Sequence, residues 1–96
     1  ERATRQSRPA LVVSTARLQD RHGLLWVVMI TSAENQGWPD DVPVTNLTMA
    51  GLPVPSLIRC AKIATIEGSD ASRLGRVSAA QLRGVTRRLV RGLGGE

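Results

Sequence analysis

Phenylalanine and tyrosine are missing from the 96 residues, and Trp26 and Trp38 are the only aromatic side chains. The core must therefore rest on Val, Leu, Ile, Met and Ala. A nucleic-acid module that stacks several bases on a platform of rings is also disfavoured. Histidine occurs once, as His22 in a polar stretch, so no Ser/His/Asp or Cys/His engine is in view. Cysteine also occurs once. Cys60 can form no internal disulfide, which fits a reducing compartment, and it reads as a small packed hydrophobe. No carboxylates stand at metal-ligand spacing; Asp40 and Asp41 are adjacent in a loop. A metal-dependent nuclease needs clustered oxygen ligands, so no metal or other cofactor is expected. No glycine-rich phosphate loop sits between a strand and a helix. No run approaches the ~20 apolar residues of a membrane span, and no signal peptide opens the chain. These absences read together as a cytoplasmic protein. The start at Glu1 fits a missing preceding segment.

What the chain has is arginine. Twelve of thirteen basic residues are Arg, and the formal net charge is +5. Residues 1–19 and 57–96 are basic, while 20–56 are acidic on balance. Two basic ends around an acidic middle can contact phosphate with both ends; the plainer account is an arginine-rich solvated surface. A chain of this length makes one domain, here 1–96, with a modest core and a tendency to oligomerise.

The longest apolar run is Leu24-Leu25-Trp26-Val27-Val28-Met29-Ile30, ending at Thr31-Ser32. It reads as a strand buried on both faces whose hydroxyl-bearing end emerges into solvent. Residues 1–7 read as a loose polar lead-in. Pro9, lacking an N–H, suits the first residue of a second buried strand, Ala10 to Ser14. Residues 15–23 and 33–41 read as loops. Val42-Pro43-Val44 reads as a short edge strand, since Pro43 cannot donate to a central ladder. Gly51 to Ser56 is a turn-rich connector. Leu57 to Ile66 is the third substantial strand. Simple alternation puts Ile58, Cys60, Lys62 and Ala64 on one face, and Leu57, Arg59, Ala61, Ile63 and Thr65 on the other. Residues 67–70 turn the chain, and 71–76 fit a helical turn or a short strand. The last element is a helix capped by Ser78, with Gln81 completing a capping box and Val77 and Leu82 a hydrophobic staple. Leu82, Val85, Leu89 and Leu93 form its apolar stripe, Arg83, Arg87 and Arg91 a cationic one, and Gly92, Gly94 and Gly95 the stop. The fold class is mainly β with a C-terminal helix, and the short strands suggest a small barrel.

Arg8, Thr31, Ser32, Arg59 and Lys62 all fall in or at the ends of these strands. RNA carries its own nucleophile, the 2′-hydroxyl. Its cleavage needs cations for the developing phosphorane, donors for the phosphate oxygens and a proton for the leaving 5′-oxygen. Arg and Thr at fixed strand ends can supply the first two. Each also has a plainer role: an Arg before a strand makes surface ion pairs, and Thr-Ser after one starts turns.

The order of the pieces resembles the MazF/PemK family of toxins from bacterial type II toxin–antitoxin pairs. The matching text is Arg8-Pro9-Ala10-Leu11-Val12-Val13-Ser14, then Val27 to Ser32, Asp41-Val42-Pro43-Val44, Ala50-Gly51-Leu52, Ser56-Leu57-Ile58-Arg59, Thr65-Ile66-Glu67 and Arg73 to Ser78. The resemblance implies a small SH3-like barrel of the CcdB/PemK type with a C-terminal helix, in a homodimer. It implies metal-independent, sequence-preferring cleavage of single-stranded RNA, blocked by a cognate antitoxin. The family's catalytic positions fall on Arg8, Thr31 and Arg59, the last as a general acid; Ser32 and Lys62 are candidate substrate-binding residues. Two features depart from the pattern. Some members carry an Asp two residues after the strand Arg, where this chain has Ala61. The family's first strand, with a Gly-Asp, precedes the point where this chain begins. The other reading is a catalytically silent or CcdB-like interaction protein on the same barrel, binding antitoxin, RNA or a protein target such as gyrase.

Overall fold

The computed structural model describes residues 7–95, so the polar lead-in lies outside the described residues except for Ser7. The frame is a curled antiparallel sheet in the order β1-β2-β4-β3: β1 (Ala10–Val12), β2 (Leu24–Ser32), β3 (Asp41–Pro43) and β4 (Ser56–Glu67). β2 is the long apolar run, and it lies inside the sheet between β1 and β4. Among the described residues β3 pairs with β4 alone, the edge position that Pro43 permits.

Register assigns the two faces, because directly opposed antiparallel residues project to the same side. Val28 and Ile30 share a face with Leu11 and Ile58. There α3 (Ala79–Gly92) closes the core: Val28, Ile58 and Val85 are fully buried, Cys60 nearly so, and Leu11, Val13, Ile30, Val42, Val44 and Leu89 pack round them. The other face carries Leu25, Val27, Met29 and Thr31 of β2 with Leu57 and Arg59 of β4. β2 is thus covered on both sides at its centre, as a continuous apolar run requires.

Simple alternation along β4 does not hold. Val28 opposes Ile63 while Met29 opposes Arg59, so residues 60–62 are inserted against no residue of β2. An insertion of odd length inverts the faces beyond it. Ala64 and Ile66 therefore share the face of Arg59, and Ile63 and Thr65 that of Val28.

Residues 15–23 contain a helix, α1 (Ala16–His22), where a loop was expected. It has one clearly apolar long side chain, Leu18, so no amphipathic period announces it. Its support is local: Gly23 ends it at φ 69°, and Arg21 and His22 lie in the last turn, where positive charge suits the helix dipole. A further short helix, α2 (Leu47–Ala50), starts at Asn46, whose side chain accepts from the Met49 N–H. Gly51 ends it at φ 73°; a Cβ there would lie 2.2 Å from the Leu74 carbonyl oxygen, so only glycine fits. Residues 71–78 form neither helix nor strand but run past α2, with the Arg76 N–H donating to the Met49 carbonyl.

The Ser78 cap is present: its Oγ accepts from the Gln81 N–H at 3.1 Å. The reciprocal half of the capping box is replaced. Gln81 is buried, and its Oε1 accepts from the Thr45 N–H at 2.7 Å and from the Thr45 hydroxyl, while its Nε2 donates to the Pro43 carbonyl. That side chain ties α3 to the strand edge. Only the middle of the apolar stripe is core: Val85 is buried and Leu89 half-buried, while Leu82 and Leu93 are exposed.

Candidate functional site

β2 ends in a turn that fixes both hydroxyls. The Asn35 side-chain amide donates to Thr31 Oγ1 at 2.6 Å, and the Ser32 Oγ accepts from the Glu34 N–H at 3.2 Å. The Ser32 carbonyl accepts from the Asn35 N–H, and the Ala33 N–H reaches the Pro55 carbonyl. The plainer role of Thr-Ser, starting a turn, is therefore present. A hydroxyl that accepts one hydrogen bond still has a proton to donate outward.

Arg8 stands exposed just before β1. The ladder continues past the strand's first residue, since the Ile30 N–H donates to the Pro9 carbonyl at 3.1 Å. Ala10 opposes Met29, so Arg8 precedes β1 at the end where β2 reaches Ile30 and Thr31. Thr31 opposes Leu57 and Met29 opposes Arg59, which makes Thr31 and Arg59 diagonal neighbours on adjacent strands. Thr31 and Arg59 therefore share one face, and Arg8 precedes the strand next to β2. Ser32 has the opposite parity, and exposed Lys62 lies in the inserted segment of β4.

Arg59 is held more tightly than the sequence suggested. Its Nη2 donates to Asp41 Oδ2 at 2.9 Å and to the Gln36 carbonyl at 2.8 Å, and its Nε lies 3.2 and 3.3 Å from the two carboxylate oxygens. The guanidinium carbon sits 4.2 Å from the centre of the Trp38 ring, within cation–π range. The Arg59 and Asp41 side chains are only 10% and 6% exposed, so this is a buried pair. The Arg59 hydrogen bonds hold the Asp41 carboxyl below the ordinary aspartate range, against the opposing effect of burial; the Trp38 N–H and the Arg59 charge add to the lowering.

The loop that delivers this pair is a closed turn. The Asp41 N–H donates to the Trp38 carbonyl, and the Trp38 N–H donates back to Asp41 Oδ2 at 2.9 Å. Pro39 followed by Asp40 at φ 71° matches the type II pattern, with Asp tolerated in the left-handed region. Sequence reasoning missed Asp41 and Trp38 as site residues. The available signals were Pro39 at a turn position and a carboxylate on the strand that became the edge.

Among the described residues, no group of three or more His, Cys, Asp and Glu side chains could hold a metal ion. The buried Cys60 thiol has its pKa pushed up by burial, the opposite of what a reactive thiolate needs. His22 is exposed on α1. At the strand ends, the exposed Arg8 guanidinium and the part-exposed Thr31 hydroxyl are hydrogen-bond donors.

The family described as PemK-like, MazF-like toxin of type II toxin–antitoxin systems matches residues 1–93. No curated protein sequence matches the chain. Among solved structures, the MazE–MazF complex of Deinococcus radiodurans is similar in two crystal forms. One gives 25% identity and a TM-score of 0.77, covering 93% of this chain and 87% of that one. The other gives 27% identity and 0.75, covering 91% and 82%. The Mycobacterium tuberculosis toxin MazF-mt6, at 23% identity, shares the fold with a TM-score of 0.75, covering 93% and 88%.

Proposed function

Since the chain belongs to the PemK-like, MazF-like toxin family of type II toxin–antitoxin systems, we propose that it is a metal-independent endoribonuclease acting on single-stranded RNA. The observation that supports this reading is the register that makes Arg59 the diagonal neighbour of Thr31, at the end of the strand whose ladder reaches the Pro9 carbonyl next to Arg8.

The reaction uses chemistry that RNA brings with it. The 2′-oxygen gives its proton to a solvent water and attacks the adjacent phosphorus. The bond from phosphorus to the 5′-oxygen breaks, and that oxygen takes a proton from water. The products are a 2′,3′-cyclic phosphate and a 5′-hydroxyl. Negative charge builds on the non-bridging oxygens in the transition state. The Arg8 guanidinium and the Thr31 hydroxyl donate to those oxygens, and Asn35 holds Thr31 in place from behind. Arg59, neutralised by Asp41, contributes less as a free cation than as the fixed floor of the site. Lys62, exposed nearby on β4, draws in the RNA backbone and adds to the salt dependence of binding. A cognate antitoxin, as the MazE–MazF structures have, and a homodimer complete the proposal.

Purified protein is expected to cut a mixed single-stranded RNA in excess EDTA and to leave 2′,3′-cyclic phosphate ends. Loss of cleavage in EDTA would overturn the metal-independent mechanism. A second reading, an interaction protein without catalysis, is favoured by one observation: two of the three guanidinium nitrogens of Arg59 are already engaged. It predicts binding of RNA or antitoxin with no cleavage by any preparation.

A further inference from the structure

The chain's two tryptophans are both about half exposed, but only Trp38 is fastened to the proposed site. Its ring lies against the Arg59 guanidinium, and its backbone is locked to Asp41 by hydrogen bonds in both directions. Its chain neighbours Gln36, Gly37, Pro39 and Asp40 are exposed. Even so, 44% of Trp38 remains open to solvent. A large apolar ring held rigid yet left uncovered costs solvation and is already ordered for a partner.

We propose that Trp38 is a stacking subsite for one unpaired nucleobase of the RNA strand, next to the phosphate held by Arg8 and Thr31. This deepens the endoribonuclease reading and rests on it. Placement supports the choice of ligand. Arg59, against which the ring lies, shares a sheet face with Thr31, so a strand whose phosphate reaches Thr31 runs past the ring. A flat π-face suits any base, because stacking needs no hydrogen-bond code. The scarcity of aromatics excludes a platform of several rings; one ring in the right place is enough for one base. Asp41 and Arg59 act here as positioning residues: their ion pair sets the height and tilt of the ring, and the Pro39–Asp40 turn stops it swinging away.

The test uses a non-cleavable strand, a short single-stranded RNA bearing 2′-O-methyl groups, so that binding is read without turnover. Removing one base–aromatic stack weakens binding on the order of tenfold to a hundredfold. Trp38→Ala is expected to lose affinity by that factor, while Trp38→Phe keeps most of it. In a Trp26→Phe background Trp38 is the sole fluorophore, and its emission is expected to be quenched on binding. An orthogonal arm leaves the protein unaltered: a set of oligonucleotides, each with one abasic position, should reveal one position whose loss weakens wild type but not Trp38→Ala. Equal affinity of Trp38→Ala and wild type, or no such position, overturns the subsite while leaving the nuclease reading intact. Unchanged RNA affinity with weakened antitoxin binding assigns the ring to a protein partner and also overturns it. Failure of wild type to bind or cut any RNA overturns the endoribonuclease reading itself.

Discussion

Arg8 and Arg59, the two arginines of the proposed site, are held to different depths by the fold. Arg59 sits inside a strand, 9% exposed, clamped by Asp41, the Gln36 carbonyl and Trp38. Arg8 stands in the open before β1, where the ladder is reduced to the Pro9 carbonyl. Reading a sequence, the two look equivalent: each is an arginine at a strand. The structure separates their uses. A buried guanidinium fixed between a carboxylate and a ring shapes a site, whereas an exposed one can turn toward a passing phosphate. The difference teaches that cation count at a site is a poor guide to how much charge a substrate meets.

Four substitutions or conditions sharpen or break that contrast. The largest effect belongs to Arg59→Ala, which leaves the buried Asp41 carboxylate unpaired and should cost about 3–5 kcal/mol in denaturant unfolding. The double variant Asp41→Asn with Arg59→Met should lie closer to wild type than Arg59→Ala does. If it does not, the pair is more than a mutual neutralisation. Next is Arg8→Ala. Its stability should stay within about 0.5 kcal/mol of wild type, as for an exposed site. Its cleavage rate should fall on the order of 10²–10³-fold, the scale of one lost oxyanion donor. A destabilised Arg8→Ala would erase the contrast.

A smaller effect follows from acid. Asp41 has a folded pKa below the unfolded value of about 3.9, so its contribution is fully present above that pH. It is lost as pH falls through the folded value. Wild type should therefore lose stability toward low pH more steeply than Asp41→Asn, measured as melting temperature from pH 5 down to pH 2. Parallel curves would mean that the pair does not couple to folding. The smallest effect is that of Lys62→Ala. RNA affinity should weaken slightly, and the slope of log affinity against log salt should flatten by about 0.7, one phosphate contact on a single strand.

Much of the frame was legible because it follows from local patterns. The apolar run from Leu24 to Ile30 reads as an inner strand and is one, and Ser78 announced the helix it caps. What failed to show depends on distant partners or on a count. α1 is seven residues long with one apolar anchor, so its sequence resembles a loop. The three-residue insertion in β4 has no sequence mark, and it moved Ala64 to the face of Arg59. Gln81 looked like half of a capping box because Ser78 stands three residues before it. Burial against Thr45, 36 positions away, redirected it. The candidate site divides the same way. Arg8, Thr31 and Arg59 come from the family resemblance; the register makes Thr31 and Arg59 diagonal neighbours. The Asp41 carboxylate that meets Arg59 lies 18 positions upstream of it and could be paired with it only once β3 was set beside β4.

The central claim, that the Arg8–Thr31 surface promotes attack by the RNA's own 2′-oxygen, is tested most directly by one cleavage assay. A single-stranded RNA containing the preferred cut is compared, in excess EDTA, with the same strand carrying one 2′-deoxy nucleotide at that cut. The account predicts that the all-ribose strand yields a 2′,3′-cyclic phosphate while the substituted strand stays whole at that position. Cutting of the deoxy-substituted bond, or a requirement for added divalent metal, would contradict it.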